Sequence, residues 1–444
     1  MELENIAAIS TPLSPSGVGV IRISGKDPLS IAEKMFKPAG KTQVLNFEPN
    51  KMYAGEILAE DFTDFGLCVY FKGPKSFTGE DTVEFHSHGG VAITKGVLKK
   101  ALSLGARLAQ NGEFTKRAFM NGKLSLASCE GLINMINSEA ESGVRAGYSL
   151  YTEKLTSKII ALQDILLDAV SQIDVDMDFP EEDLETLSRK NVKTSVEKVL
   201  TSVQELLSTY GKGRIVKDGV KVGIVGKPNT GKSSLLNALL CYDKAIVSSV
   251  PGTTRDIVEG SIDINGVRFN FFDTAGIRES DDAVESIGIK LSKKILSASD
   301  VLLFVLDGGN IDSEDDAIFE EVNGENLITV LNKIDCGDFD DDRADVKISA
   351  LTGENIEELR SVLYEKSVGS VSLSADFLCE ERHYEALKRA KEKLLSSLQN
   401  FDSVPLDVLS IDIKSAWDCL GEITGKTATE EIINNIFAKF CVGK

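Results

Sequence analysis

Gly226-Lys227-Pro228-Asn229-Thr230-Gly231-Lys232-Ser233 decides how this chain folds. It matches the phosphate-loop spacing G-x-x-x-x-G-K-[ST]. The apolar run Val220-Lys221-Val222-Gly223-Ile224-Val225 before it reads as a buried strand, and residues 233–239 read as the helix after it. Strand, loop and helix in that order are the context the motif requires. The glycines let successive backbone N–H groups turn inward around phosphates, and Lys232 brings a cation to them. The Ser233 hydroxyl is suited to Mg²⁺. Asn229, Thr230, Gly231, Lys232, Ser233 and Ser234 are therefore the expected phosphate contacts.

Working outward, Asp273-Thr274-Ala275-Gly276 follows a hairpin strand. An Asp at a strand end, then a flexible glycine, suits Mg²⁺ and γ-phosphate sensing. Gly252-Thr253-Thr254-Arg255-Asp256 lies between the two motifs and can close the Thr254 hydroxyl onto the same Mg²⁺. Asn332-Lys333-Ile334-Asp335 follows a later strand and specifies the base. The Asp335 carboxylate can accept from N1–H and the exocyclic amine of guanine, donors that adenine lacks in that geometry. Ser349-Ala350-Leu351 offers a backbone N–H to the guanine carbonyl. Each motif alone is an ordinary turn; found together, in order and at strand ends, they indicate a GTP-binding domain.

Ile277 follows Gly276 where Ras-like enzymes carry a water-positioning glutamine. Glu285, in the loop after the γ-phosphate sensor, is the acid expected to replace it, against the plainer reading of a solvated first-turn helix acid. Asn229, beside the Gly252-Thr253 backbone, suggests an amide oxygen that helps coordinate a monovalent cation, so K⁺ is expected to accelerate hydrolysis more than Na⁺.

The 444 residues suggest roughly three domains. Hydrophobic content of 42% and charged content of 27% fit a soluble globular protein. No membrane span or basic secretory leader is apparent. Seven scattered cysteines without CxxC spacing speak against a zinc or disulfide framework and fit a reducing cytoplasm. A net charge of −20 disfavours an unaided duplex-binding surface, because phosphate contacts need clustered Lys and Arg.

Residues 1–118 mix short strands with glycine turns and read as a small α+β domain. Residues 119–215 are helical in texture, with Leu162, Ile165, Leu166, Ala169 and Ile173 on one stripe. Pro180 must break the first long helix. The acids around it, Asp176 to Asp183, read as a solvated loop or helix start rather than a metal site. Residues 216–375 alternate strand and helix, with a type I′ hairpin signal at Asn265-Gly266 and buried strands near 301–306 and 327–331. Residues 376–444 are helical again. The simplest arrangement inserts the α/β domain into one helical domain; two independent bundles would leave a similar pattern. The acidic segment 335–343 reads as a surface loop, and His86 as a loop histidine.

Motifs outside the GTP-binding segment carry a resemblance. They are Gly17-Val18-Gly19-Val20-Ile21-Arg22-Ile23-Ser24-Gly25, Ser76-Phe77-Thr78-Gly79-Glu80-Asp81 with His88-Gly89-Gly90, and Gly112-Glu113-Phe114-Thr115-Lys116-Arg117-Ala118-Phe119 with Lys123-Leu124. Asp178-Phe179-Pro180-Glu181, Leu420-Gly421-Glu422-Ile423-Thr424-Gly425 and Phe440-Cys441-Val442-Gly443-Lys444 complete them. With these the chain resembles the MnmE (TrmE) tRNA-modification GTPases over essentially its whole length. The resemblance implies an N-terminal domain shaped like folate-dependent one-carbon enzymes, which also drives homodimerisation. It implies 5-formyl- or methylene-tetrahydrofolate bound there by Arg22, Glu84, Lys123 and Lys444. Cations suit a folate glutamate tail, and a carboxylate suits a pterin amine.

The implied activity adds an aminomethyl or carboxymethylaminomethyl group to C5 of the wobble uridine of certain tRNAs. The implied partner is a flavoprotein, MnmG (GidA), and hydrolysis depends on K⁺-driven pairing of two GTPase domains. By the matching motif, Asn229, Ser248, Val250 and Thr253 surround K⁺, Ser233 and Thr254 hold Mg²⁺, and Glu285 orients water. Cys441 is the near-terminal cysteine of that family; an inert packing thiol is the alternative. Val442 stands where isoleucine is commoner, and Ser248 where threonine is frequent. The competing function is a GTP-driven ribosome or RNA assembly factor without one-carbon chemistry, which lacks the N-terminal domain and the 440–444 motif.

Overall fold

A computed structural model describes residues 4–178, 185–242, 260–273, 299–324, 326–369 and 377–444. Two compact units divide the chain: one comprises Met1–Ile133, Ser149–Thr201 and Ala386–Lys444, the other Asn134–Tyr148 and Ser202–Glu385.

In the first unit, β1 (Ile6–Ile9), β2 (Ser16–Gly25), β3 (Phe36–Pro38), β4 (Met52–Leu58), β5 (Thr63–Phe71), β6 (Asp81–Gly89) and β7 (Arg107–Leu108) form one sheet in the order β3-β4-β5-β6-β2-β1-β7. Alternation along β2 sends Ile21 and Ile23 to one face. There they join Val83, Phe85, Met35 and Val97 in a core beneath the helices Pro28–Met35 and Val91–Ser103. The opposite face is mixed: Ile6, Ala8 and Phe114 pack there beside Phe77, and Arg22 and Ser24 share it.

The long helix Lys154–Asp178 buries Leu162, Leu166, Ala169 and Ile173, with Ile165 half-buried. The expected stripe thus faces inward, and it packs against the helix Leu406–Thr424. That first helix closes two residues before Pro180, which itself lies outside the described residues.

In the second unit, β8 (Val220–Val225), β9 (Gly260–Ile264), β10 (Val267–Asp273), β11 (Val301–Asp307), β12 (Leu327–Asn332) and β13 (Val346–Lys347) give the order β13-β12-β11-β8-β10-β9. Among the described strands of this sheet, only the β9–β10 hairpin pair is antiparallel. Its turn residues Asn265 and Gly266 have φ of 53° and 80°, the two positive values a type I′ turn needs. Strand β11 shows why the sequence lacks alternation here. Val301, Leu303 and Val305 enter one hydrophobic cluster while Leu302, Phe304 and Leu306 enter another, so both faces of the parallel sheet are covered.

One expectation needs correction. His86 is not on a loop: it lies on β6, paired with Val20 and Leu67. The acidic segment 335–343 lies at the surface, with Asp335, Cys336, Asp338, Asp340 and Asp342 exposed. Its Phe339 packs against the core cluster of Phe304 and Leu306, and Arg343 chelates Asp341 at 2.8 and 2.7 Å.

Candidate functional site

Strands β8, β11 and β12 run parallel, and their carboxyl ends bring three motifs together, the place where open α/β sheets bind ligands. From β8 the chain enters the phosphate loop, where Gly226, Asn229 and Gly231 have φ of 146°, 66° and 96°. Two glycines are demanded by their surroundings as well as by φ. A Cβ on Gly226 would lie 2.4 Å from the Val305 carbonyl oxygen, and one on Gly231 would lie 2.3 Å from Nδ2 of Asn332.

The helix Lys232–Tyr242 then begins, with Ser233 and Ser234 exposed in its first turn. Lys232 Nζ donates to the carbonyls of Gly226 and Lys227 at 2.9 and 2.6 Å, so the ammonium is held by the loop itself. Thr230, buried, donates its hydroxyl to the same Lys227 carbonyl at 3.0 Å.

The base motif is stitched to this loop. Asn332, also buried, donates Nδ2–H to the Thr230 carbonyl at 2.9 Å and accepts from the Ala350 N–H at 3.0 Å. Lys333, at a φ of 71°, donates to the Asn229 carbonyl at 2.9 Å and pairs with Asp307 at 2.6 Å. Ser349 donates its hydroxyl to Asp335 Oδ1 at 2.5 Å and accepts from Thr352 N at 3.1 Å. The Ser349 hydrogen bond holds the Asp335 carboxyl below its ordinary range, with Cys336 adding to it. Asp335 is therefore an ionised acceptor in the exposed mouth of the site.

Asp273 closes β10 opposite Ile224, one residue before β8 ends and the phosphate loop begins. Ser248, Val250, Thr253, Thr254, Thr274, Ala275, Gly276, Ile277 and Glu285 lie outside the described residues.

Two groups around this site were not legible as functional. Asp307 ends β11 and receives Lys333. Lys227 pairs with Asp312 and Asp315 at 2.9 and 2.7 Å at the start of the helix Ser313–Val322, and these hydrogen bonds, Asp315 first, raise its ammonium above the ordinary lysine value. The Asp312-x-x-Asp315 capping spacing was the one available signal.

The first unit gathers a second set. Arg22 and Glu84 face each other across β2 and β6, and Arg22 Nε reaches Glu84 Oε1 at 2.7 Å. The guanidinium lies 5.6 Å from the ring centres of both Phe77 and Phe114. His86 Nε2 is 3.3 Å from the other oxygen of Glu84. Burial pushes the Glu84 carboxyl up, but the His86 hydrogen bond and the Arg22 charge outweigh it and hold the group below its ordinary value. Nearby Glu80, buried, accepts from Ser24 at 2.9 Å and from Arg117 at 3.0 Å. Lys123 is exposed and donates to the Pro74 carbonyl at 2.9 Å.

The 440–444 segment docks on this unit. Asn111 and Val442 form a β-bridge, Gly112 N donates to the Cys441 carbonyl at 3.4 Å, and Ser10 Oγ donates to the Gly443 carbonyl at 3.1 Å. Phe440 is buried with Phe437, which fixes the segment, while Cys441 is exposed. A shallow cavity of about 360 Å³ beside it is lined by Ile9, Thr11, Leu13, Leu98, Leu108 and Val442.

Comparison with known proteins gives two family models in tandem: "GTP-binding protein TrmE N-terminus" over residues 5–123 and "MnmE helical domain" over residues 126–441. Among curated proteins, the tRNA modification GTPase MnmE of Thermoanaerobacter pseudethanolicus is 39% identical, covering 100% of both chains. That of Aquifex aeolicus is 39% identical over 99% of this chain and 100% of its own. Among solved structures, a point variant of Aquifex aeolicus Era bound to GDP·AlF4⁻ is 30% identical, covering 40% of this chain and 67% of its own, with a TM-score of 0.27.

Proposed function

The chain belongs to the MnmE family of tRNA modification GTPases, and from that premise we propose that it hydrolyses GTP to drive modification of a tRNA wobble uridine. The observation that carries the GTPase half is the convergence of the phosphate loop, Asn332, Asp335 and Ser349 on one sheet edge. The loop geometry fits a nucleotide: backbone turned by positive φ at three positions, with an ammonium at its centre. Ser233 would serve Mg²⁺ with Thr254, and Asn229 would share K⁺ with Ser248, Val250 and Thr253. Glu285 would orient the attacking water. When bound, such ions would supply positive charge against the phosphoryl oxygens.

The modification half is proposed for the first unit. Arg22 and Glu84, with Lys123 and Lys444, would hold 5-formyl- or methylene-tetrahydrofolate. The ion pair is half-buried beside two aromatic rings, a surface that suits a flat pterin and an anionic tail. Docking of the 440–444 segment on the same unit supports a role for Cys441 there. The proposed assembly is a homodimer acting in the cytoplasm with the flavoprotein MnmG (GidA) in a heterotetramer or larger complex. It adds a (carboxymethyl)aminomethyl group to C5 of the uridine, with hydrolysis driven by pairing of the GTPase domains and stimulated by K⁺. Domain boundaries near 118, 215 and 375 go with this reading.

The deciding experiment is mass spectrometry of tRNA nucleosides from cells lacking the chain and from cells with it restored. Loss and recovery of a 5-aminomethyl-type wobble uridine is expected. An unchanged nucleoside profile would remove the modification half and favour an RNA assembly factor.

A further inference from the structure

The carbonyl of Lys227 is a node of the phosphate loop, because it accepts both Lys232 Nζ and the Thr230 hydroxyl. The side chain of the same residue is fastened elsewhere. Its ammonium, 6% exposed, lies 2.7 Å from Asp315, 2.9 Å from Asp312 and 3.2 Å from the Asn310 carbonyl. Asp315 is fully buried; its Oδ2 accepts from the Asp312 N–H at 3.1 Å as well as from Lys227. Its Oδ1 has no hydrogen-bond partner among the described residues.

A buried carboxylate with an orphaned oxygen is a poor way to gain stability, and such groups are better explained by the conformation they fix. Residues 307–315 in fact grip the loop twice. Asp307 holds Lys333, which holds the Asn229 carbonyl, and Asp312 with Asp315 hold Lys227.

We propose that Lys227 is a positioning residue: clamped between Asp312 and Asp315, it sets the direction of its own carbonyl. It thereby sets the placement of Lys232 and Thr230 and the affinity for the phosphates of a guanine nucleotide. The inference rests on the GTP-binding reading and deepens it. It separates phosphate recognition, which passes through Lys227, from base recognition, which passes through Asn332 and Asp335.

The test uses the full chain. GDP binding is measured by isothermal titration, guanosine binding by saturation-transfer NMR, and the thermal midpoint without nucleotide. Lys227→Met is expected to weaken GDP about 20-fold while leaving guanosine within about twofold, and Lys227→Arg to restore GDP to within about threefold. Asp312→Ser keeps the helix cap and removes one carboxylate. It is expected to weaken GDP about threefold with an unchanged midpoint, and it decides the matter if Lys227→Met does not fold. Unchanged GDP affinity in a folded Lys227→Met protein, or in Asp312→Ser when Lys227→Met does not fold, overturns the inference. So does a parallel fall in GDP and guanosine affinity. Wild-type protein that binds neither would instead sink the GTP-binding reading beneath it.

Discussion

The two candidate sites are built on opposite plans. In the nucleotide unit, the contacts within the phosphate loop are mostly side chain to backbone carbonyl over short sequence distances, and the longer links run to the end of β12 at Asn332 and Lys333 and to the start of the helix Ser313–Val322. In the N-terminal unit, Arg22 and Glu84 meet only because sheet register pairs them, and the 440–444 segment reaches the same unit from the far end of the sequence. The first plan is a local motif supported by a sheet; the second is an assembly of remote parts. A local motif tolerates little chemical change, whereas an assembled site is open to graded loss.

The largest effect expected from breaking the local plan is at Asp335. Asp335→Asn removes the carboxylate that pairs with guanine, and GTP affinity is expected to fall on the order of 10³-fold or more. Binding of xanthosine nucleotides, whose 2-oxo group accepts from an amide, is expected to rise in the same titration. Retained preference for GTP would break the assignment of the base site.

Next comes Gly231→Val, which places a branched side chain at a φ of 96° and against Nδ2 of Asn332 at 2.3 Å. Nucleotide binding is expected to drop by about 10²-fold or more, because the loop must move to admit the side chain. Binding by fluorescence titration within a few-fold of wild type would show that the loop is softer than its contacts imply.

On the assembled side the expected changes are smaller and separable. Gly443→Ala faces a φ of 101° and the Ile9 carbonyl at 2.3 Å, so it should loosen the 440–444 segment. Folate affinity is expected to weaken about tenfold, with GTP hydrolysis unchanged. A matching loss of hydrolysis would show that the two plans are not independent.

The smallest effect concerns stability. Glu84→Gln leaves Arg22 without its ion partner and should cost about 1–2 kcal/mol at pH 7 in denaturant unfolding. The folded-state pKa of Glu84 lies below its unfolded value. Its contribution is therefore complete above the ordinary glutamate value of 4.5 and is lost as pH falls through the lower, folded value. The variant and wild type should converge in acid; a constant gap down to about pH 2 would reassign the effect to packing.

How far the sequence was legible follows the same division. The phosphate loop, the type I′ turn and the doubly buried strands could be read because glycine, Asn-Gly and unbroken apolar runs each act within a few residues. Arg22 and Glu84 looked like ordinary strand-surface residues, because nothing local announces that position 22 pairs with position 84. His86 reads as a loop histidine for a related reason: a polar residue on the mixed face of a sheet leaves the same local pattern as one in a turn. Lys227 stands inside the most legible motif, yet its ion pairs cannot be read there, because its partners lie beyond another strand.

The bond between Ser10 and Gly443 spans 433 positions. During synthesis the first unit therefore emerges with the edge around Ile9 and Asn111 uncovered, and it stays so while the whole nucleotide unit is translated. A chain that stops after the nucleotide unit but before position 443 carries the phosphate and base motifs yet leaves that edge of the first unit uncovered. The edge around Ile9 and Asn111 is thus covered only once residues 442 and 443 have been made.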